Sequence, residues 1–174
     1  MRGPGSGCST PIGRVQGNTS AIGTAAVNAF NFVVLSGDVV NNNATLNTMQ
    51  DVTALSFAVV AGETYYFEFV IPYTSAATTT GSRWSINGPG SPTLLNYRSE
   101  YTLAATTTTI NSATAYDIPA ASNATSLTAG NVATIWGVIK PSGNGTVIAR
   151  FASEIANSAI TAKAGAFLRW VRVI

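Results

Sequence analysis

The sequence predicts an all-β fold, a jelly-roll-like antiparallel β-sandwich with an extended N-terminal arm. From Phe30 onward apolar residues recur at every second position, and no segment of helical length carries an apolar stripe with a 3.6-residue period. Only 9% of residues are charged, so 23 Thr, 16 Ser and 14 Asn supply most of the polarity. These small polar residues favour strands and turns over helices. A chain of 174 residues is long enough for one domain with its own core.

Residues 1–30 are predicted to form the arm. The first 23 residues contain six Gly and two Pro, and their only charged side chains are Arg2 and Arg14. Such a segment cannot build a helix or a core alone. Two arrangements stay open: the arm folds back on its own domain, or it lies across neighbouring subunits. The candidate assembly residues of the arm are Arg2, Cys8, Ile12, Arg14, Val15 and Ile22.

Residues 31–174 are predicted to form the sandwich, beginning with alternating strands at 55–59 and 65–73. Large apolar residues share one face of the second strand: Tyr65, Phe67, Phe69, Ile71 and Tyr73. We expect this strand at the centre of a sheet. Its other face carries Tyr66, Glu68 and Val70, and we expect a neighbouring strand or subunit to cover half of it.

Turn signals separate the later strands. A strand around Trp84 and Ile86 ends at an Asn-Gly-Pro turn, and the strand at 95–103 places Arg98 and Glu100 on its second face. Residues 104–130 form either a long loop or an irregular edge hairpin. Strands at 132–138 and 147–151 form a hairpin, and short strands follow at 160–163 and 167–174. The last strand should pair within a sheet or between chains, because an exposed apolar edge invites aggregation.

Composition argues against several classes of function. A net charge of +2 is too small for broad phosphate neutralisation, so we expect no nucleic-acid partner. The absence of His removes the usual general base and metal ligand, and Cys8 alone cannot close a disulfide or form a multi-thiolate zinc site. We expect no metal and no cofactor. No apolar run reaches the length of a membrane span, and the N-terminus lacks the pattern of a cleaved signal.

Carboxylates are the remaining conventional catalytic groups. Glu63 with Glu68, or Glu100 with Asp117, could in principle serve a glycosidase. Structural pairing and solvation explain these acids better, so we expect that the protein is not an enzyme. A depolymerase remains the third alternative.

Aromatic residues are the other candidates for a site. They could form a subunit interface or a stacking surface for sugar rings, although core packing is the commoner fate of such residues in strands. These residues are Trp84, Tyr97, Tyr101, Trp136 and Trp170.

Two stretches, 61–101 and 137–173, resemble a β-rich domain common in virion proteins of tailed bacteriophages. The most specific pieces are Thr-Gly-Ser-Arg at 80–83, Ser-Ile-Asn-Gly-Pro at 85–89 and Arg-Phe-Ala-Ser-Glu at 150–154. The resemblance covers roughly residues 45–174. It implies a structural protein of small head, decoration or tail-fibre type, and it carries no catalytic motif.

With the composition, this resemblance favours a capsid decoration (cement) protein located in the virion and assembled in the cytoplasm of the host bacterium. The implied partners are copies of itself, arranged as a homotrimer, and the major capsid protein or other virion proteins. Neither a nucleic acid nor a membrane is among them. The alternative is a tail-fibre or host-receptor protein that binds a glycan.

Overall fold

The fold is built from β-strands. The computed structural model describes residues 29–117 and 125–173. Regular structure in these residues consists of strands β1 (Asn31–Val34), β2 (Val39–Asn41), β3 (Gln50–Val59), β4 (Thr64–Ser75), β5 (Ser82–Asn87), β6 (Leu94–Ala104), β7 (Thr107–Ala113), β8 (Asn131–Lys140), β9 (Gly145–Ser153), β10 (Ile160–Ala162) and β11 (Phe167–Val173). None of the described segments is a helix with the length and apolarity needed to cross a bilayer.

The strands form two antiparallel sheets. The larger has eight strands in the order β1-β11-β4-β8-β6-β7, and β10 pairs with both β2 and the C-terminal end of β4. The smaller has the order β3-β9-β5. β4 lies inside the larger sheet, between β11 and β8, as its long alternating pattern predicts. The prediction of an all-β antiparallel sandwich is therefore confirmed.

Aromatic side chains fill the space between the sheets. β4 buries every second residue, and Phe67 and Phe69 are fully inaccessible to solvent. Phe57 of β3 lies 5.3 Å from the ring of Trp170, centroid to centroid, in a stacked arrangement. Trp84 of β5 stacks on Phe151 at 5.0 Å. Burying large aromatic surfaces is the main stabilising contribution to this core.

A bulge in β3 changes which residues face the core. Between the pairs Asp51–Arg150 and Ser56–Ile148, β3 carries four residues where β9 carries only Ala149. The odd surplus of three residues reverses the alternation, so Val52 and Leu55 are both buried. Ala54 takes a φ of 74° within the bulge, a conformation that costs an alanine about 1 kcal/mol.

The structure answers two questions that the sequence leaves open: the form of residues 104–113 and the buried face of β8. β7 pairs with β6, so the first part of 104–130 is the edge hairpin and not a long loop. The strand predicted at 132–138 is present as β8, but the residues it buries are Ala133, Ile135 and Ile139. Val132 and Trp136 point away from the core. Among the inward positions of β8, Gly137 leaves room for the close approach of Tyr97 on β6.

Ion pairs join the segments that carry the sequence resemblance. Arg83 Nε lies 2.8 Å from Glu154 Oε1, and Glu154 is almost completely buried. Arg150 Nη1 and Asn87 Nδ2 each donate to Asp117 Oδ2 at 2.6 Å. These contacts fix β5 and β9 to the loops that follow β7 and β9, which is a structural role.

Candidate functional site

The face of the larger sheet that points away from the smaller sheet, here called the outer face, is the best candidate for a functional surface. Successive cross-strand pairs align one residue from each of six strands in a row across it: Phe32, Arg169, Glu68, Trp136, Arg98 and Ser112. All six side chains are exposed or half-exposed in the part of the chain that the structure describes. The outer face is therefore one continuous surface that no described element covers.

One end of the outer face is apolar. Phe30, Phe32 and Val34, here called the edge patch, are 43%, 62% and 62% exposed. The ring of Phe30 packs edge-on against Tyr66 at 6.0 Å, and the Arg169 guanidinium lies 5.2 Å from the same ring. These contacts hold the start of β1 against the sheet. They leave the side chains of Phe32 and Val34 in solvent.

The backbone of β1 is also available for pairing. Leu35 N donates to Ala166 O at 2.8 Å, which places residues 31, 33 and 35 in the hydrogen-bonded positions opposite β11. In an antiparallel pair the intervening residues point their N–H and C=O groups the other way. Phe32 and Val34 therefore direct backbone groups to a side of β1 with no partner strand among residues 29–117 and 125–173. A strand edge of this kind is a template for another chain.

The other half of the outer face contains an open depression of about 410 Å³, here called the Trp136 groove. It lies where β6, β7 and β8 run side by side, and its lining residues are Asn96, Tyr97, Arg98, Ser112, Ala113, Thr114 and Trp136. Trp136 is 38% exposed. The groove thus offers an aromatic ring beside amide, hydroxyl and guanidinium groups.

Arg98 gives the Trp136 groove its charge. Its guanidinium carbon lies 5.8 Å from the centroid of the Trp136 ring. Across residues 29–117 and 125–173 no carboxylate forms a salt bridge with Arg98. Glu68 neighbours Trp136 on β4, but Arg169 neutralises it. The groove therefore carries one positive charge that the described residues leave uncompensated.

Close backbone packing holds the groove in shape. A Cβ atom at Gly137 would lie 2.6 Å from Tyr97 Cα and nearer still to Asn96 O, so only glycine lets β6 and β8 approach this closely. The Tyr97 hydroxyl lies 2.8 Å from Ser85 Oγ in the core. Burial raises the pKa of Tyr97. Its side chain therefore anchors the groove from below as a neutral phenol.

The structure separates the five aromatic candidates. Trp84 and Tyr101 are fully buried and Tyr97 is only 4% exposed, so the hypothesis that they form a stacking surface is corrected: each fills the core, where a sugar ring cannot reach it. Trp170 is half-buried and stacks on Phe57. Trp136 is the aromatic candidate that both lines the groove and is exposed to solvent.

Sequence reasoning did not select the polar residues of the groove. The sequence places Arg98 on the second face of its strand, and Asn96, Ser112 and Thr114 carry no motif. Their proximity arises from the pairing of β6 with β7 and β8. The sequence offers two signals: Arg98 is a charged residue on one face of an alternating strand, and Trp136 lies in a strand whose buried face the pattern does not decide.

Three of the four acids considered for catalysis are in ion pairs. These pairs are Glu63 with Arg172 at 3.6 Å, Glu68 with Arg169, and Asp117 with Arg150 at 2.6 Å. This is the structural pairing expected of them. Among residues 29–117 and 125–173 no group of three or more His, Cys, Asp or Glu side chains could hold a metal ion.

The candidate arm residues cannot be placed. Arg2, Cys8, Ile12, Arg14, Val15 and Ile22 lie outside the described residues. The arm therefore stays a prediction.

Comparison with solved structures finds distant likenesses. No protein-family model and no curated protein sequence matches the chain. The chain is similar to the VP2 subviral particle of infectious bursal disease virus at 8% identity and a TM-score of 0.26, covering 84% of this chain and 41% of that one. A structure of the Gx strain of the same virus shares 9% identity at a TM-score of 0.21, covering 84% and 36%. The chain spans about two fifths of the first of these structures.

Proposed function

We propose that the chain is a structural component of a bacteriophage virion, and specifically a capsid decoration protein that stabilises the head as a homotrimer bound to the major capsid protein. The observation that carries this proposal is the edge patch, where apolar side chains and unpaired backbone groups coincide on one strand. The sequence resemblance to phage virion proteins supports it. The proposal assigns the protein no catalytic role and no cofactor.

The edge patch is suited to a weak contact that is present once in each subunit of a symmetric oligomer. Burying an exposed Phe or Val side chain contributes about 1.5–3 kcal/mol, so Phe32 and Val34 together give a useful but modest contact. A closed trimer presents three copies of it at once. Linked contacts of this kind raise the overall affinity well above that of each one alone. The arm would add further contacts in the same assembly.

Introducing positive charges into the patch tests the proposal. The double variant Phe32→Lys/Val34→Lys should stay folded, because both side chains are exposed, but should no longer trimerise or co-sediment with capsids. Val60→Lys is the matched control, since Val60 is 53% exposed and lies outside the outer face. Full capsid occupancy by the double variant would refute the role of the patch.

Deletion of residues 1–28 tests the arm separately, because it leaves Phe30 of the edge patch in place. The sandwich should remain folded by circular dichroism, whereas incorporation into particles should be lost. If the shortened protein decorates capsids at full occupancy, the arm has no part in attachment.

A second candidate function is host recognition, as in a tail-fibre or receptor-binding protein. The Trp136 groove favours it, because an exposed Trp ring beside amide and hydroxyl groups is suited to stacking and hydrogen bonding with a sugar. Loss of glycan binding in Trp136→Ala with an unchanged oligomer would support this function. A glycan affinity of Trp136→Ala equal to that of the unmodified protein would refute the groove as the binding site, and no glycan binding by the unmodified protein would refute the function.

A further inference from the structure

We infer that the Trp136 groove binds an acidic sugar, a pyranose ring that carries a carboxylate. The inference rests on the second candidate function and narrows it to one ligand class. It is independent of the edge patch, which lies at the opposite end of the outer face, beyond β4 and β11.

Trp136 supplies the surface for the sugar ring. An indole is flat and apolar, so it can cover the C–H face of a pyranose without competing for the hydroxyl groups. Trp136 is 38% exposed, and the Arg98 guanidinium lies over its ring, 5.8 Å from the centroid, so a stacked sugar would share the ring with this guanidinium or displace it. The groove volume of about 410 Å³ falls within the range of about 300–1,000 Å³ typical of small-molecule sites.

Arg98 determines the charge of the ligand. A guanidinium presents N–H groups in a fixed fork that matches a carboxylate, and such charge-assisted bonds are roughly twice as strong as neutral ones. The two acids nearest in register are Glu68, which Arg169 binds, and Glu100, which is half-buried opposite Thr134 on β8. Neither forms a salt bridge with Arg98. A carboxylated ligand would supply the missing partner.

Neutral polar groups complete the site. Asn96 and Ser112 flank Arg98 from within β6 and from β7, and Thr114 lies just beyond the end of β7. All three are exposed, so an amide and two hydroxyls are available to the hydroxyl groups of a sugar. A simple anion would use Arg98 alone and leave Trp136 uncovered. The combination of ring, cation and neutral donors therefore fits a charged sugar better than a simple anion.

The test is calorimetric titration of the full chain with a glucuronic acid tetrasaccharide and with the glucose tetrasaccharide of the same linkage. We expect saturable binding of the acidic probe and at least tenfold weaker binding of the neutral one. Trp136→Ala and Arg98→Ala should each weaken binding of the acidic probe at least tenfold. Arg98→Lys should fall between, because it keeps the charge and loses the fork.

Val132→Ala is the matched control. Val132 is 43% exposed on the same face of the same strand but does not line the groove, so its variant should bind like the unmodified protein. Added salt should weaken binding of the acidic probe, since the charges are exposed. Unfolding curves of each variant in urea would verify that the fold is intact.

Three results would overturn the inference. Equal binding of both tetrasaccharides would refute the requirement for a carboxylate but keep glycan binding as a function. Binding of neither would remove both. Displacement of the acidic probe by an equal concentration of acetate would show an anion site without sugar recognition.

Discussion

Replacing Gly137 with alanine should destabilise the protein more than the addition of a single methyl group usually does. Gly137 lies on β8 directly opposite Tyr97 of β6, in the interior of the larger sheet. The added Cβ would lie 2.6 Å from Tyr97 Cα, and ordinary contacts begin at 3.4 Å. Asn96 O would be nearer still, so the two strands must separate by about 1 Å at this point.

The expected cost follows from that separation. A hydrogen bond of about 2.9 Å lengthened by about 1 Å is no longer effective, and one or two ladder bonds beside Gly137 would weaken in this way. Each contributes about 0.5–1.5 kcal/mol, and overpacking costs about 1–3 kcal/mol. We therefore expect Gly137→Ala to lower the free energy of unfolding by about 2–5 kcal/mol. For a chain of this length the loss of Tm is about 4–20 °C.

Urea unfolding followed by tryptophan fluorescence would measure this change. Gly143→Ala is the matched control, because a Cβ there meets no atom within 4 Å and the residue lies in the loop between β8 and β9. That variant should be neutral or slightly more stable, by up to about 1 kcal/mol. If the two variants unfold at the same urea concentration, the strands at Gly137 are not packed as described.

Three further predictions concern the core and the dependence of stability on pH. Trp84→Ala should cost about 3–5 kcal/mol of unfolding free energy, because the ring is fully buried against Phe151; a loss below about 1 kcal/mol in urea unfolding would contradict this. Burial raises the pKa of Tyr101 from near 10 to about 12, so the folded state favours the neutral phenol. The contribution of this phenol to the free energy of unfolding is complete below pH 10 and is lost as pH rises to about 12. Tyr101→Phe should flatten that alkaline limb of the stability curve, and an unchanged limb would refute the assignment. Hydrogen bonding from Lys163, and then from the Ala164 N–H, lowers the pKa of Asp38. The ionised Asp38 therefore stabilises the folded state above about pH 3.8, and this stabilisation is lost at lower pH. Asp38→Asn should flatten the acid limb in acid titrations followed by circular dichroism, and a limb as steep as before would show that Asp38 does not contribute.

The strands that could be predicted are those whose two faces differ in chemistry. In β4 and β6 one set of alternate residues is aromatic or aliphatic and the other contains charges, so the inward face follows from the sequence. β8 has large apolar residues on both sets of positions, such as Ile135 on one and Trp136 on the other. Its pattern therefore predicts a strand but cannot decide which face is buried.

The candidate site shows the same limit. Trp84 and Trp136 both lie in alternating strands, and only the pairing of the sheets places one in the core and the other in the groove. Arg98 and Ser112 are fourteen positions apart in the chain but direct neighbours across β6 and β7. Such a contact depends on register, which the low-complexity Thr run at 106–109, most of it within β7, does not specify.

The bulge in β3 limits which insertions and deletions this part of the chain can tolerate. Its surplus residues are odd in number, and only an odd surplus lets Val52 and Leu55 share one side of the strand. Losing or gaining a single codon there would make the surplus even and turn one of these side chains to water, whereas a change of two codons would preserve the parity. Insertions and deletions at this point should therefore be tolerated in pairs.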